Sequence, residues 1–231
     1  MKFRLMLLVF LQLVIFPGCN STTNDFKSMY DKAEIADKKT FEILKYGYAR
    51  DSITAYFAGR KIPNSDGASF SIITPYYSKD RYHIYYCDNY RDGTFYYTKK
   101  SIDISILKGV DPESFEIINN QHFMDKTHVY RMRQQIKGAD PKTFTLSKEG
   151  YAYDKRAVFY RGYELWYSNG PSFKYLGNGY AKDRSHVYHN SLKVDGADAS
   201  SFELTIGQDH DARDNNRKYK KGNAFTKKCV D

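Results

Sequence analysis

The sequence predicts an all-β protein, built as a tandem array of about six repeats of about 29 residues, each made of short strands or hairpins with a one-turn helical joint. The first observation is composition, because 22 Tyr and 15 Phe among 231 residues favour strands over helices. The second is the spacing of recurring phenylalanines, whose intervals are 29, 45, 29, 29 and 29 residues. A closed, propeller-like arrangement of the same repeats is the alternative.

Three positions recur in register through the array. The phenylalanines that set the period are Phe41, Phe70, Phe115, Phe144, Phe173 and Phe202. Ten residues after the first five of them lie Asp51, Asp80, Asp125, Asp154 and Asp183. Four residues before each phenylalanine is an Asp or Asn, and one residue before it is a Ser or Thr. The sixth repeat is out of phase at Asp214, as expected of a terminal repeat that caps an array.

The elements of one repeat follow from these positions. An Asp followed by Pro, as in Asp140–Pro141, is typical of a helix start, and the few residues available allow one helical or 3₁₀ turn. This joint ends at the phenylalanine, which we expect to be buried. Short apolar or alternating runs follow and predict strands. The segment 180–190 predicts two strands joined by a turn centred on Asp183.

The residues around the recurring aspartate resemble the DKNYY family, which is named for a motif close to DKxxxVYY. The matching segments are DKTHVYR (125–131), DKRAVFY (154–160), DRSHVYH (183–189), DRYHIYY (80–86) and DSITAYF (51–57). The resemblance covers roughly residues 37 to 222. It implies a bacterial repeat protein, often exported, of uncharacterised biochemistry, and it implies no catalytic or ligand-binding residues.

The one long interval holds 16 extra residues between Tyr86 and Asp111. Asp92–Gly93 stands there between aromatic runs, which predicts a hairpin inserted around residues 87–108 with Cys87 at its base. An insertion that interrupts a regular array is a reasonable place for a specific function. A tolerated surface insertion is the alternative, and the sequence leaves both open.

The N-terminus predicts export and a lipid anchor. Lys2 and Arg4 precede an apolar run over 5–16, which is typical of a secretory signal peptide and too short for a good membrane-spanning helix. Cys19 follows Gly18 directly and resembles the lipobox of bacterial lipoproteins, in which this cysteine is acylated. An ordinary signal peptide with an incidental cysteine is the alternative.

This interpretation divides the chain into a lipoprotein signal peptide (1–18), a flexible tether (19–36) and the repeat domain (37–231). Export would place the two remaining cysteines, Cys87 and Cys229, in an oxidising compartment where they could form a disulfide. The sequence has no CxxC spacing that would suggest a metal site instead.

The sequence contains no Walker loop, GxSxG elbow, HExxH segment or EF-hand loop. His83, His128 and His186 share the position three residues after the recurring aspartate, but Ala157 occupies it in the repeat between the last two. We therefore expect a strand position there and no metal. The aspartates could hold calcium or form carboxylate pairs, but evenly repeated acids are more often turn formers that bond their own backbone, which we favour.

The sequence predicts a location more clearly than an activity. The formal net charge is +9, but basic and acidic residues are interspersed except near the C-terminus, so we expect no nucleic-acid partner. We expect a lipoprotein of the bacterial envelope, held in the outer membrane facing the periplasm in preference to the inner membrane. It would be a structural or protein-interaction module without cofactor or enzymatic activity. The alternatives are a glycan- or peptidoglycan-binding protein that uses tyrosines and the basic C-terminal face, and a hydrolase with its site in the insertion.

Overall fold

The computed structural model describes residues 23–91, 100–206 and 209–225. In these ranges 24 short strands form six four-stranded sheets, one per repeat, which confirms the all-β tandem-repeat fold. The strands of each sheet lie side by side in chain order, so each sheet is a small meander. None of the sheets in the described ranges closes on itself.

The strands are mostly two or three residues long. The first sheet holds β1 (Glu42–Ile43), β2 (Tyr48–Arg50), β3 (Ala55–Phe57) and β4 (Arg60–Lys61). The second holds β5 (Ser71–Ile72), β6 (Tyr77–Lys79), β7 (Ile84–Arg91) and β8 (Lys100–Ile106). The third holds β9 (Glu116–Ile117), β10 (His122–Met124), β11 (Val129–Arg131) and β12 (Gln134–Gln135).

The last three sheets repeat the same layout. The fourth holds β13 (Thr145–Leu146), β14 (Tyr151–Tyr153), β15 (Val158–Tyr160) and β16 (Tyr163–Glu164). The fifth holds β17 (Lys174–Gly177), β18 (Tyr180–Lys182), β19 (Val187–His189) and β20 (Leu192–Lys193). The sixth holds β21 (Glu203–Leu204), β22 (Ala212–Arg213), β23 (Lys218–Lys220) and β24 (Asn223–Ala224). The described ranges contain three short 3₁₀ helices, which are η1 (Thr23–Tyr30), η2 (Lys45–Gly47) and η3 (Gly170–Ser172).

The joint before each sheet is a single turn. In the fifth repeat it is η3, and the side chain of Asn169 caps it by accepting the Ser172 N–H at 3.2 Å. In the fourth repeat the equivalent turn is closed by a 3.2 Å bond from the Thr143 N–H to the Asp140 carbonyl. The predicted joint therefore occurs both as a 3₁₀ turn and as a simple hydrogen-bonded turn.

The core lies between successive repeats. Tyr151 and Val158 of the fourth repeat pack with Ala181 and Tyr188 of the fifth in one buried cluster. The Tyr151 hydroxyl also donates to the Gly179 carbonyl of the next repeat at 2.8 Å. Similar clusters join the third repeat to the fourth and the fifth to the sixth, so these repeats complete their apolar cores with residues of a neighbour, as expected of a repeat array.

The recurring phenylalanines are less buried than the sequence predicts. Phe70 and Phe202 are 2% exposed. The other four are half-buried, and these are Phe41, Phe115, Phe144 and Phe173. The expectation of a buried ring at each of these four positions is wrong, because neighbouring residues cover the ring only in part; Phe144, for example, packs against the cluster that holds Val129 and Phe159 and stays partly exposed. Full burial falls instead on the aromatic residue in the third strand, and these residues are Tyr56, Tyr85, Tyr130, Phe159, Tyr188 and Tyr219.

The segment before the first repeat is packed against it. Tyr30, at the end of η1, is 6% exposed, and its hydroxyl donates to the Gly47 carbonyl at 2.5 Å. Met29, Ala33 and Ile35 pack against the same cluster. In this part of the predicted tether the structure has a packed segment, while residues 19–22 lie outside the described ranges.

The described residues divide into two compact units, one made of residues 23–78, 87–91 and 100–104 and the other of 79–86, 105–206 and 209–225. The unit boundaries fall inside the second repeat, at the predicted insertion. Strands β7 and β8 are the longest in the described ranges, and the residues between them, 92–99, lie outside those ranges. Among the described residues no helix has the length and apolar character needed to cross a membrane.

Candidate functional site

The recurring aspartate is the most elaborately bonded side chain in each repeat. Asp183 is 3% exposed and lies in the turn between β18 and β19. Its Oδ1 accepts the backbone N–H groups of Ser185 and His186, both at 2.7 Å. Its Oδ2 accepts the Tyr188 hydroxyl and the Asn169 N–H, both at 2.8 Å. One carboxylate therefore joins its own turn, the third strand and the joint that precedes the sheet.

The same network recurs through the array. Oδ1 accepts from the backbone two and three residues ahead at Asp51, Asp80, Asp125, Asp154, Asp183 and Asp214. The phenol five residues ahead donates to Oδ2 in every repeat except the fourth, where Phe159 carries no hydroxyl. Asp154 therefore keeps three donors, the backbone groups of Arg156, Ala157 and Asp140.

Burial alone would raise the pKa of the Asp183 carboxyl, because a charge is poorly solvated inside the protein. Hydrogen bonds from the four donors outweigh burial, so the pKa of Asp183 lies below its ordinary value. The same balance lowers the pKa of Asp51, Asp125 and Asp214. These carboxyls are therefore ionised near neutral pH, and the network is built from charge-assisted hydrogen bonds.

A second acid and a hydroxyl extend the network at the joint. In the fourth repeat the Thr143 hydroxyl donates to Asp140 at 2.8 Å and accepts the Lys155 N–H at 3.1 Å. The Lys155 ammonium lies 3.0 Å from the Asp140 carboxylate. The acid and the lysine of the motif at 154–155 thus have different partners. Asp154 accepts hydrogen bonds from its own turn, and Lys155 forms a partly exposed ion pair with Asp140 of the joint.

The geometry favours a structural role for these acids. Both oxygens of Asp183 are occupied by protein donors, so a cation would have to displace several hydrogen bonds. Within the described ranges no three His, Cys, Asp or Glu side chains come together as metal ligands. The network fixes the backbone of each repeat, as expected of a turn-forming aspartate.

The three aligned histidines each lie beside the aspartate of their own repeat. The Nδ1 atoms of His83, His128 and His186 are 3.9 Å from the Oδ1 atoms of Asp80, Asp125 and Asp183. The Nδ1 of His128 also lies 2.9 Å from the hydroxyl of Thr127. The structure therefore places these histidines in equivalent turns, and among the described residues none of them belongs to a group of three or more possible metal ligands.

Cys87 is fully buried and, among the described residues, is a free thiol. Burial is the main cause that raises its pKa to about 12, against smaller opposing hydrogen bonds from Tyr48 and Ser78. A buried thiol with a raised pKa is a poor nucleophile. Its predicted disulfide partner Cys229 and the predicted lipid site Cys19 both lie outside the described ranges.

The glycan alternative placed tyrosines on a binding surface, but the recurring tyrosines are interior. Tyr48, Tyr151 and Tyr180, in the second strands of their sheets, are at most 1% exposed. The recurring tyrosines of the third strands are similarly buried and bond the aspartates. The recurring tyrosines therefore pack the repeats and are not available to stack on a sugar.

The basic C-terminal face is exposed where it is described. Arg217, Lys218, Lys220 and Lys221 are all exposed, while Lys227 and Lys228 lie outside the described ranges. Arg213, Arg217 and Lys218 line an open cleft of about 630 Å³ together with Phe225.

Sequence reasoning missed the most exposed aromatic pair in the described ranges. Trp166 and Tyr167 are 81% and 84% exposed in the turn after β16. The 29-residue alignment contains the signal, because the same two positions hold Lys137–Gly138 one repeat earlier and Asp195–Gly196 one repeat later. An aromatic pair in place of a charged residue and glycine is a departure that a position-by-position comparison of the repeats would detect.

Comparison with known proteins gives one match. The family model described as the DKNYY family matches residues 10–89 and 90–223, so two copies of the model cover most of the chain. No curated protein and no solved structure matches the chain.

Proposed function

The chain belongs to the DKNYY family, and on that premise we propose that it is a lipid-anchored protein of the bacterial envelope whose repeats form a structural or protein-interaction module. The observation that carries this proposal is the use of the recurring residues. The aspartate of every repeat is buried, and its bonds hold the turns and strands of that repeat. The recurring residues therefore stabilise the fold. This supports a role as a scaffold that presents other residues on its surface.

The anchor is proposed from the sequence around Cys19, which follows an apolar run and a glycine. Cells that express the full chain should incorporate radioactive palmitate into the wild type and into Cys229→Ala, and not into Cys19→Ala. Separation of inner and outer membranes by density should recover the labelled chain mainly with the outer membrane. Absence of label from the wild type would contradict the anchor.

The interaction role is tested by crosslinking in intact cells, followed by identification of the crosslinked chains. We expect a small set of envelope proteins that is enriched over an unrelated lipoprotein expressed at the same level. An identical set of crosslinked chains for both proteins would contradict a specific module. The proposal assigns no enzymatic activity, cofactor or nucleic-acid partner to the chain.

Glycan binding is the second candidate, and it needs a different surface from the one the sequence suggested. The recurring tyrosines bond other parts of the protein, as Tyr151 bonds Gly179 and Tyr188 bonds Asp183. The observation that favours glycan binding is the exposed aromatic pair of the fourth repeat.

A further inference from the structure

The fourth repeat exposes three aromatic side chains close together in the chain. Tyr163, at the start of β16, is 72% exposed, and Trp166 and Tyr167 in the following turn are more exposed still. The ring centroids of Trp166 and Tyr167 are 6.4 Å apart with 61° between the ring planes. Neither of these two side chains makes a hydrogen bond within the described ranges. We call residues 163–167 the aromatic loop.

The backbone of this turn is the same in neighbouring repeats. A 3.3 Å bond from the Ser168 N–H to the Leu165 carbonyl closes it, and the third and fifth repeats have an equivalent bond of the same length. The residue before the closing N–H has a positive φ in all three repeats, namely +80° at Gly138, +59° at Tyr167 and +68° at Gly196. Glycine adopts this conformation freely, whereas a residue with a side chain adopts it at a cost. The fourth repeat therefore carries backbone strain in order to place a tyrosine here.

A second strained position shows how such a cost can be offset inside the protein. Arg133 has φ +73°, but its guanidinium lies 4.7 Å from the centre of the Tyr86 ring and donates to the Ser105 hydroxyl at 3.2 Å. Tyr167 has no comparable hydrogen bond among the described residues. Strained residues are concentrated at sites where the surroundings or a ligand make use of them. Among the described residues, the cost of the positive φ at Tyr167 is therefore not offset by a hydrogen bond of its own side chain.

Polar groups with spare hydrogen-bonding capacity lie beside the two rings. The Glu164 carboxylate is 3.7 Å from the Arg156 guanidinium, and both side chains are about half exposed. Glu164, Trp166 and Tyr167 line a surface cleft of about 380 Å³. Leu165, the one aliphatic residue of the loop, points inward and is 5% exposed. The cleft thus combines two aromatic side chains with a carboxylate and has no aliphatic lining residue. The Arg156 guanidinium pairs with this carboxylate and also donates to the Gly138 carbonyl at 2.6 Å.

From these features we infer that the aromatic loop binds a pyranose oligosaccharide. The apolar C–H face of a pyranose ring packs on an aromatic face, and sugar hydroxyls can bond the Glu164 carboxylate and the Arg156 guanidinium. A purely apolar peptide or lipid tail would desolvate those charged groups without replacing their hydrogen bonds, which is unfavourable. The inference rests on the second candidate function, glycan binding, and names the class of ligand; it does not depend on the lipid anchor or on the protein-interaction role.

The chain contains a built-in probe for this site, because Trp166 is its single tryptophan. The purified full chain in detergent is titrated with chitohexaose and with cellohexaose, which share the β-1,4 linkage and differ in the acetamido group. We expect a saturable shift of the tryptophan emission with at least one of them. Binding of both sugars would show that the acetamido group is not required, and binding of chitohexaose alone would show that it is.

Tyr167→Gly separates binding from folding. It removes one ring and relieves the left-handed strain, so the protein should melt no lower than the wild type, while Trp166 still reports binding. We expect affinity to fall about tenfold, since one aromatic contact is lost. Tyr82→Ala is the matched control, because Tyr82 is also well exposed at 61% but lies in a different repeat. It should bind as the wild type does.

Two further probes test other occupants of the same loop, namely phosphatidylglycerol vesicles and a proline-rich peptide. An emission shift with either of these but with neither sugar would overturn the glycan assignment. Unchanged emission with all probes, or equal affinity of Tyr167→Gly and the wild type, would also overturn it. Palmitate labelling and the crosslinked partners are measured independently, so the glycan inference can fail while the proposed function stands.

Discussion

The fourth repeat (140–168) and the fifth (169–197) have the same meander, and two of the differences between them concern the aspartate network and the last turn. In the fifth repeat Tyr188 donates to the buried aspartate, whereas the fourth has Phe159 at that position. At the turn after the last strand the fifth repeat has a glycine, and the fourth has Tyr167. The fourth repeat therefore lacks one hydrogen bond and has one more non-glycine residue with a positive φ than the fifth, yet keeps the same sheet.

This difference shows that each aspartate network is over-determined. Asp154 still accepts from the Asp140 N–H at 2.9 Å and from two backbone donors of its own turn. Phe159 is completely buried, so its ring packs in the core as the ring of Tyr188 does in the fifth repeat, but it makes no hydrogen bond to the aspartate. Because the backbone is fixed by several bonds, one repeat can give up a donor and display an aromatic pair without losing its shape.

Acid should weaken the protein more than any single substitution, because several repeats titrate together. The pKa values of Asp51, Asp125, Asp183 and Asp214 lie below the ordinary value in the folded protein. A depressed folded-state pKa contributes stability that is complete above the unfolded value, about 3.9, and is lost as pH falls through the folded value. Chemical denaturation should show an unfolding free energy that falls steeply below about pH 4. A free energy that stays constant through this range would contradict the network.

Asp183→Ala should destabilise the protein by about 3–4 kcal/mol, since it leaves buried donors without an acceptor. Asp154→Ala should cost about 1 kcal/mol less, because it leaves three donors without their acceptor, whereas Asp183→Ala leaves four. Urea denaturation of the two variants at neutral pH measures the difference. Equal losses would show that the phenol bond contributes nothing.

Tyr188→Phe should cost about 1.5–2 kcal/mol, because it removes a hydrogen bond to an ionised acceptor and keeps the ring. Phe159→Tyr is the reciprocal change and should gain about 1 kcal/mol if the new hydroxyl reaches Asp154. Combining both substitutions exchanges this feature between the two repeats. Independent, opposite changes in the unfolding free energy are expected, and two destabilising results would contradict the equivalence of the two positions.

Tyr167→Gly should stabilise the protein by about 0.5–1 kcal/mol, since relief of the left-handed strain exceeds the extra chain entropy of glycine. Trp166→Ala, at the neighbouring exposed position, should leave the unfolding free energy within about 0.5 kcal/mol of the wild type. Thermal melting of both variants provides the measurement. A lower melting temperature for Tyr167→Gly would mean that the ring stabilises the turn and that no strain is stored there.

The features that could be predicted from the sequence depend on short-range chemistry. The period and the turn at Asp183 follow from residues within a few positions of one another, because an aspartate bonds its own backbone. The bond from the Asn169 N–H to Asp183 joins residues 14 positions apart and has no local signature. Phe144 is less buried than predicted for a related reason, since the exposure of its side chain depends on how neighbouring repeats pack around the joint.

The aromatic loop has no signature in the positions that the repeats share. Trp166 and Tyr167 are informative through their departure from the pattern, and their exposure depends on a turn conformation that only the structure displays. The packing of Tyr30 on the first repeat was also hidden, since a polar segment after an apolar run is typical of a tether.

Each aspartate network is made by residues of one repeat, whereas the core clusters of the last four repeats join residues of two successive repeats. We therefore expect the networks to form before the clusters during folding. The network of the fourth repeat needs only residues from Asp140 to Ala157, whereas the cluster around Tyr151 needs Ala181 and Tyr188 from the next repeat. Contacts between residues close in sequence form early in folding. A repeat that emerges from the ribosome or a translocation channel can therefore set its turns at once, while its apolar face stays uncovered until its successor arrives. A chain cut short after any repeat would end in ordered turns beside bare apolar surface, and its characteristic failure would be self-association.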